Sequence, residues 1–254
     1  MSLRILAILN HKGGVGKTTT CFNLACAYAD QGLKVLAIDL DPQSHLSVSL
    51  GFKDPGLSGM DDVFLDQAKI PDYIISAREN LDLVPAGYRL GEVERLAAEG
   101  RQKAVVLRDA LEDVKADYDL ILIDCPPTSG LLNFNALFAA GEIVIPVAGD
   151  YLSLQGLSQL LRTLKSAERF MKKQLQFWIV ITRYATRRRL SAQVKEKLLK
   201  YFPTQLLPTV VRENAPVAES PSFGKSIFDY SRRSNGAKDY LALADDILYR
   251  RVSG

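Results

Sequence analysis

Six short apolar runs, most of them rich in β-branched residues, recur along the chain: ILAIL (5–9), VLAIDL (35–40), LDLVPA (81–86), DLILID (119–124), IVIPVA (143–148) and FWIVIT (177–182). Runs that are apolar at nearly every position must be covered on both faces, and strands separated by helices pair in parallel. The intervening segments have helical spacing. Thr18 to Asp30 stops at Gly32, Leu152 to Met171 is amphipathic, Ala192 to Tyr201 precedes Pro203, and Gly236 to Tyr249 follows. This alternation predicts an α/β fold with a doubly wound, mostly parallel sheet flanked by helices. Residues 42–80 break the rhythm with clustered Gly, Pro, Asp and Ser, which predicts loops and short helices over the carboxyl edge of the sheet and no strand. With no internal repeat, low-complexity tract or linker in 254 residues, a single domain spanning 1–254 is expected.

Composition excludes more than it selects. An apolar share of 47% and a charged share of 24% suit a chain that buries a core, and a net charge of +3 is too small to mark a nucleic-acid binder, so any basic footprint must be local. Cys21, Cys26 and Cys125 form no C-x-x-C pair and leave an odd thiol, as expected in a reducing cytoplasm. The start, MSLR, enters ILAIL directly and is interrupted by Asn10, His11 and Lys12, which fits neither a secretory signal nor a membrane span. A cytoplasmic location is expected.

The first run leads into NHKGGVGKTTT (10–20), and helical periodicity begins at its end. Strand, glycine-rich turn and helix are the context a phosphate-binding loop requires. Gly13, Gly14 and Gly16 let backbone N–H groups wrap phosphates, Lys17 reaches the β and γ phosphates, and the Thr18 hydroxyl suits Mg²⁺. The pattern G-x-x-x-x-G-K-[ST] nevertheless wants glycine where His11 stands, and a second lysine, Lys12, lies five residues before Lys17. Downstream, Asp39 and Asp41 share a face at the end of the second run, at the edge where open α/β sheets bind nucleotides. Asp124 ends the run LILID, where a carboxylate holds Mg²⁺ through water.

The stretch KGGVGKTT, from Lys12 to Thr19, resembles the deviant Walker A motif of the ParA and MinD family of P-loop ATPases, and D-x-D-P-Q from Asp39 resembles a second signature of that family. RENAPVAESPSFGKSIFDYSRRSNGAKDYLALADDI (212–247) is similar to the tail of short ParA proteins, with Asn214, Glu219, Pro221, Gly224, Tyr230, Ser234, Gly236, Ala237 and Tyr240 in register, so the likeness covers nearly the whole chain. The resemblance implies ATP and Mg²⁺ as cofactors, with Lys12, Gly13, Gly14, Val15, Gly16, Lys17, Thr18 and Thr19 on the nucleotide and Asn214 on the adenine. It implies that Lys12 crosses a homodimer to the partner's phosphates, that Asp41 orients the attacking water, and that Asp39 joins Thr18 and Asp124 around the metal. Two positions depart from the family: Arg212 replaces a proline that flanks the base, and Pro216 replaces an arginine used on DNA.

The segment TRYATRRRLSAQVKEK (182–197) carries Arg183, Arg187, Arg188 and Arg189, and Arg232 and Arg233 form a second basic pair. Such clusters hold phosphate backbones without reading sequence. By resemblance these arginines form a DNA face, and the chain is expected to be a nucleoid-associated partition or positioning ATPase, released when a ParB-like or cargo-adaptor partner stimulates slow hydrolysis. Three alternatives stay open: a MinD-like membrane-cycling ATPase, a cargo-assembly ATPase that ignores DNA, and a purely structural nucleotide binder. LADDILYRRVSG (243–254) places Asp245 and Asp246 in the would-be membrane face, which suits a packed helix better than a lipid anchor. A dimeric iron–sulfur reductase is rejected, because only Cys125 lies beyond residue 26 and such a cluster needs two cysteines there.

Overall fold

Strands β1 (Arg4–Ile8), β2 (Val35–Asp39), β3 (Ile75–Arg78), β4 (Leu81–Val84), β5 (Leu120–Asp124), β6 (Glu142–Ala148), β7 (Gln176–Tyr184) and β8 (Leu206–Arg212) form one sheet in the order β3-β4-β2-β5-β1-β6-β7-β8, in a computed structural model that describes residues 3–99 and 104–254. Every neighbouring pair is parallel except β3 and β4. Ten α-helices, besides 3₁₀ turns, accompany it among the described residues: α1 (Lys17–Asp30), α2 (His45–Ser49), α3 (Met60–Leu65), α4 (Val106–Ala110), α5 (Leu131–Ala139), α6 (Tyr151–Met171), α7 (Arg189–Tyr201), α8 (Ala215–Glu219), α9 (Ile227–Ser231) and α10 (Asn235–Leu248).

Successive strand residues alternate between two cores. Leu6, Ile8, Val35, Ala37, Leu120, Leu122 and Val144 face α1 and α10, whereas Ala7, Leu36, Ile38, Ile121, Ile123, Ile143 and Ile145 face the side that holds α5, α6 and α7. Each Val, Leu or Ile side chain among them contributes ~1.5–3 kcal/mol on burial, and the continuous apolar runs follow from coverage on both faces.

One expectation needs correction, and one further strand had no counterpart among the six runs. Residues 42–80 do contain a strand, β3, which runs antiparallel at the sheet edge with a bulge between Ser76 and Arg78. Its four residues ISAR are half-exposed, so no apolar run announced it. The opposite edge strand, β8, was also unmarked, because Pro208 and Thr209 break LLPTVVR and only Leu206, Leu207 and Val211 of it are buried.

The parallel register sets the chemistry. Asp39 pairs with Asp124 across β2 and β5, and Ile8, the last residue of β1, also lies opposite Asp124. The loop after β1, the acids after β2 and the acid of β5 therefore meet at the centre of the carboxyl edge.

Candidate nucleotide site

The loop between β1 and α1 adopts positive φ at Gly14 (73°) and Gly16 (85°), conformations that favour glycine. A Cβ at Gly13 or Gly16 would meet nothing within 4 Å, so open space faces the loop there. That space is a cavity of about 740 Å³ lined by Gly13, Gly14, Gly16, Lys17, Thr18 and Thr19 on one side and by Asp41, Gln43, Thr182, Arg183 and residues 211–215 with Val217 and Ala218 on the other. Burial lowers the pKa of Lys17, an effect opposed by Asp124, Cys125 and Asp41, and its Nζ donates to the Lys12 carbonyl at 3.3 Å. Val15 is buried and contributes no side chain to the cavity; its carbonyl accepts from Thr182 Oγ1 at 2.7 Å.

Three carboxylates lie behind and beside the loop in different states. Asp124 is fully buried, and neither of its oxygens has a hydrogen-bond partner at bonding geometry. Burial, followed by the charge of Asp39, drives its pKa well up, and the Thr18 hydroxyl and Lys17 offset this only in part. Asp39 accepts from the Ser47 N–H (2.9 Å), the Ser47 hydroxyl (2.8 Å) and the Asp41 N–H (3.1 Å), yet burial still lifts its pKa to about 6. Asp41 lines the cavity itself, with Oδ1 accepting from the Gln43 N–H. An orphaned buried carboxylate beside a threonine hydroxyl is a fit for a divalent cation. No cage of three His, Cys, Asp or Glu side chains occurs among the described residues, and Mg²⁺ needs none, since it keeps waters and phosphate oxygens in its shell.

Lys12 does not line its own chain's cavity. Its Nζ donates to Asp150 Oδ1 at 2.8 Å and to Ser153 Oγ at 3.0 Å, at the amino end of α6, where Asp150 also caps the helix by accepting from the Ser153 N–H. Burial works against charge on Asp150, but the bonds from Lys12 and Ser153 prevail and hold its pKa below the usual range. Sequence reasoning found Lys12 and missed Asp150 and Ser153. The capping spacing D-Y-L-S was visible, but a partner 138 residues away was not.

At the far end of the cavity, Asn214 has a buried Oδ1 without a partner, an acceptor available to an exocyclic amine such as that of adenine. The substituted Arg212 is not loose. Its backbone N–H and Nε donate to Asp239 Oδ2, both at 2.9 Å, and Nη2 donates to Oδ1 at 2.6 Å, so α10 pins it against the cavity wall.

The basic residues separate into groups. Arg187, Arg188 and Arg189 are exposed at the start of α7, with Arg188 3.9 Å from Glu213. Arg232 and Arg233 are exposed after α9, and Arg232 borders a different cavity, of about 750 Å³, together with Asp30, Arg78 and Asp229. Arg183, grouped with the basic loop in the sequence, instead donates from Nη1 to the Gly14 carbonyl at 3.2 Å and lines the nucleotide cavity. All three cysteines are buried and free; burial raises the Cys26 thiol to about 12 and the other two well above their ordinary value. In α10, Tyr240, Leu243, Ala244 and Ile247 are buried in the core, and the two arginines beyond it pair with Glu142 and Asp246. No helix among the described residues is long and apolar enough to cross a membrane.

Comparison with known proteins agrees with this geometry. A family described as AAA domain matches residues 3–177. The chain is 41% identical over 247 residues to the sporulation initiation inhibitor protein Soj of Bacillus subtilis, covering 96% of this chain and 98% of that one. It is 37% identical over 253 residues to the chromosome partitioning protein ParA of Caulobacter vibrioides, covering 98% and 95%. Among solved structures it is similar to cobyrinic acid a,c-diamide synthase of Mycobacterium smegmatis with bound ADP and magnesium, at a TM-score of 0.85 and 29% identity over 98% of this chain and 95% of that one.

Proposed function

The chain belongs to the ParA and Soj family of partition ATPases, and from that premise we propose that it is an ATP-switched homodimer whose ATP-bound form holds DNA without reading sequence and lets go after hydrolysis. The observation that carries this reading is the position of Lys12, whose ammonium lies outside its own cavity on Asp150 and Ser153. One chain can cradle the nucleotide with Gly13, Gly14, Gly16, Lys17, Thr18 and Thr19, while a partner's Lys12 completes the charge around it. A cation supplied at developing phosphate charge acts as an arginine finger does.

In this mechanism Lys17 neutralises the phosphates, and the loop N–H groups hold them at the amino end of α1. Thr18 and Asp124 would hold Mg²⁺, with Asp39 behind them, and the bound metal would supply neutralisation of phosphate charge. Asp41, at the cavity wall, orients the water that attacks the γ phosphate. Asn214 Oδ1 accepts from the adenine amine. Hydrolysis is slow in the isolated chain, because a site that lacks its second cation stabilises the transition state poorly, and a ParB-like or cargo-adaptor partner raises it.

The exposed Arg187, Arg188 and Arg189, with Arg232 and Arg233, form the DNA face, by counterion release. An ATP-dependent gel shift with unrelated DNA sequences at two salt concentrations tests the reading. A shift that needs ATP, weakens steeply with salt and drops on Arg187→Glu with Arg189→Glu is expected. Hydrolysis with no shift at low salt would favour a cargo-assembly ATPase.

A further inference from the structure

Charges around the nucleotide cavity are unevenly matched. Lys12 is paired with Asp150 and lies outside the cavity. Arg212 is on the wall but tied to Asp239 through the Nε–Nη2 edge of its guanidinium. Glu213 lies 3.9 Å from Arg188. Two cations of the lining remain without a carboxylate at ion-pair distance among the described residues: Lys17, whose role is assigned above, and Arg183.

Arg183 reaches its place by an uncommon backbone. Its φ of 48° lies in the left-handed region, which a residue with a Cβ adopts at a cost and which collects at functional sites. The preceding residue, Thr182, is buried and donates to the Val15 carbonyl, and Arg183 donates to the Gly14 carbonyl. The end of β7 is thus stitched to two consecutive carbonyls of the phosphate loop. Only one Arg183 nitrogen is used, and the rest of the exposed, forked guanidinium stands at the cavity mouth. A planar donor fork that cannot lose its proton is suited to phosphate oxygens.

We propose that Arg183 is a polyphosphate-binding residue of the ATPase site, a cation supplied in cis from β7 beside Lys17, and not part of the DNA face. This inference rests on the assignment of the cavity as the nucleotide site. The cation reduces the repulsion among the phosphates within one chain, while Lys12 remains the contribution of the partner. The carbonyl bond to Gly14 sets the guanidinium at the loop before nucleotide arrives, so little side-chain freedom is lost on binding.

Calorimetric titration of the full chain with Mg²⁺ and, in turn, a non-hydrolysable ATP analogue, ADP and AMP tests it, using wild type, Arg183→Ala, Arg183→Gln and Arg183→Lys. Glutamine keeps a donor for the Gly14 carbonyl without the charge. Loss of a charge-assisted hydrogen bond predicts ~10- to 100-fold weaker binding of the triphosphate by Arg183→Ala and Arg183→Gln. A smaller loss for ADP, none for AMP and partial recovery by Arg183→Lys are expected. At saturating nucleotide, the DNA shift of these variants matches wild type. Equal weakening of all three nucleotides, or wild-type affinity in Arg183→Gln, reduces Arg183 to a brace for the loop and overturns the proposal. So does unchanged nucleotide affinity with a lost DNA shift. Wild-type protein that binds no ATP would instead sink the site assignment itself.

Discussion

At the amino edge of the sheet, Glu142 accepts from Arg4 Nε and Nη2 at 2.8 Å each, from Trp178 Nε1 at 2.7 Å and from Arg250 at 3.2 Å. At the carboxyl edge of the same sheet, Asp124 is at least as deeply buried and accepts nothing at bonding geometry. Burial raises the pKa of both acids. Around Glu142 the donors prevail and hold it below its ordinary value, whereas around Asp124 they do not. The same sheet thus carries a saturated acid at the start of β6 and an unsaturated one at the end of β5. The contrast predicts that Glu142 anchors the fold more strongly than Asp124, whose unmet demand a bound cation would relieve.

The largest expected effects fall at the carboxyl edge and concern turnover. Lys12→Ala removes the cation proposed to act across the dimer, so partner-stimulated hydrolysis falls by ~10³-fold or more, on the scale of a missing arginine finger, and ultracentrifugation with a non-hydrolysable analogue shows monomers. Asp41→Ala keeps the dimer and stops it in the ATP state. Normal hydrolysis by either variant removes that residue from its role. Neither change should lower the melting temperature of nucleotide-free protein appreciably, and a large drop would mean that the carboxyl edge carries stability after all.

Next in size is Glu142→Ala, which takes the carboxylate from half-buried Arg4, leaving it the Ile247 and Leu248 carbonyls, and leaves Trp178 Nε1 without its acceptor. Breaking a buried ion pair from one side costs ~3–5 kcal/mol, read as a shift in the urea midpoint, while ATP affinity stays as in wild type. If the variant melts like wild type, the amino edge is not the anchoring edge and the contrast fails. Asp124→Asn runs the other way. Without Mg²⁺ it removes the cost of an unpartnered buried carboxylate, so the nucleotide-free variant should be ~1–3 kcal/mol more stable than wild type at neutral pH, and it should gain nothing from Mg²⁺ with ADP.

The sequence displayed the carboxyl edge more clearly than the amino edge. The loop from Lys12 to Thr19, Asp39, Asp41 and Asp124 follow strand ends at fixed offsets, so local spacing places them together. Arg4 with Glu142, Lys12 with Asp150, and Arg212 with Asp239 join residues 138, 138 and 27 positions apart, and periodicity carries no information about such pairs. Arg183 groups with its basic neighbours in the sequence by charge along the chain and by family resemblance; the left-handed backbone that turns it toward Gly14 has no sequence signature. The edge strands β3 and β8 escaped for a related reason, since a strand that is exposed along part of its length lacks the continuous apolar run that marked the inner ones.

The smallest effect is in the pH dependence of stability, where the two edges should slope in opposite directions. Glu142 has a folded pKa below its unfolded 4.5, so its contribution is complete above about pH 4.5 and fades as pH falls through the lower folded value. Asp39 is raised from 3.8 to about 6 by burial, so in metal-free protein the folded state holds the proton more tightly and stability declines as pH rises from about 3.8 through 6. Each group contributes at most ~1.4 kcal/mol per pH unit. Melting curves from pH 3 to pH 8 in chelator are expected to show Glu142→Gln flattening the acid limb below about 4.5 and Asp39→Asn flattening the decline toward 6, each leaving the other limb intact. If either substitution flattened both limbs, the acids at opposite ends of the sheet would be coupled through the fold, and the two edges could not be treated as separate electrostatic systems.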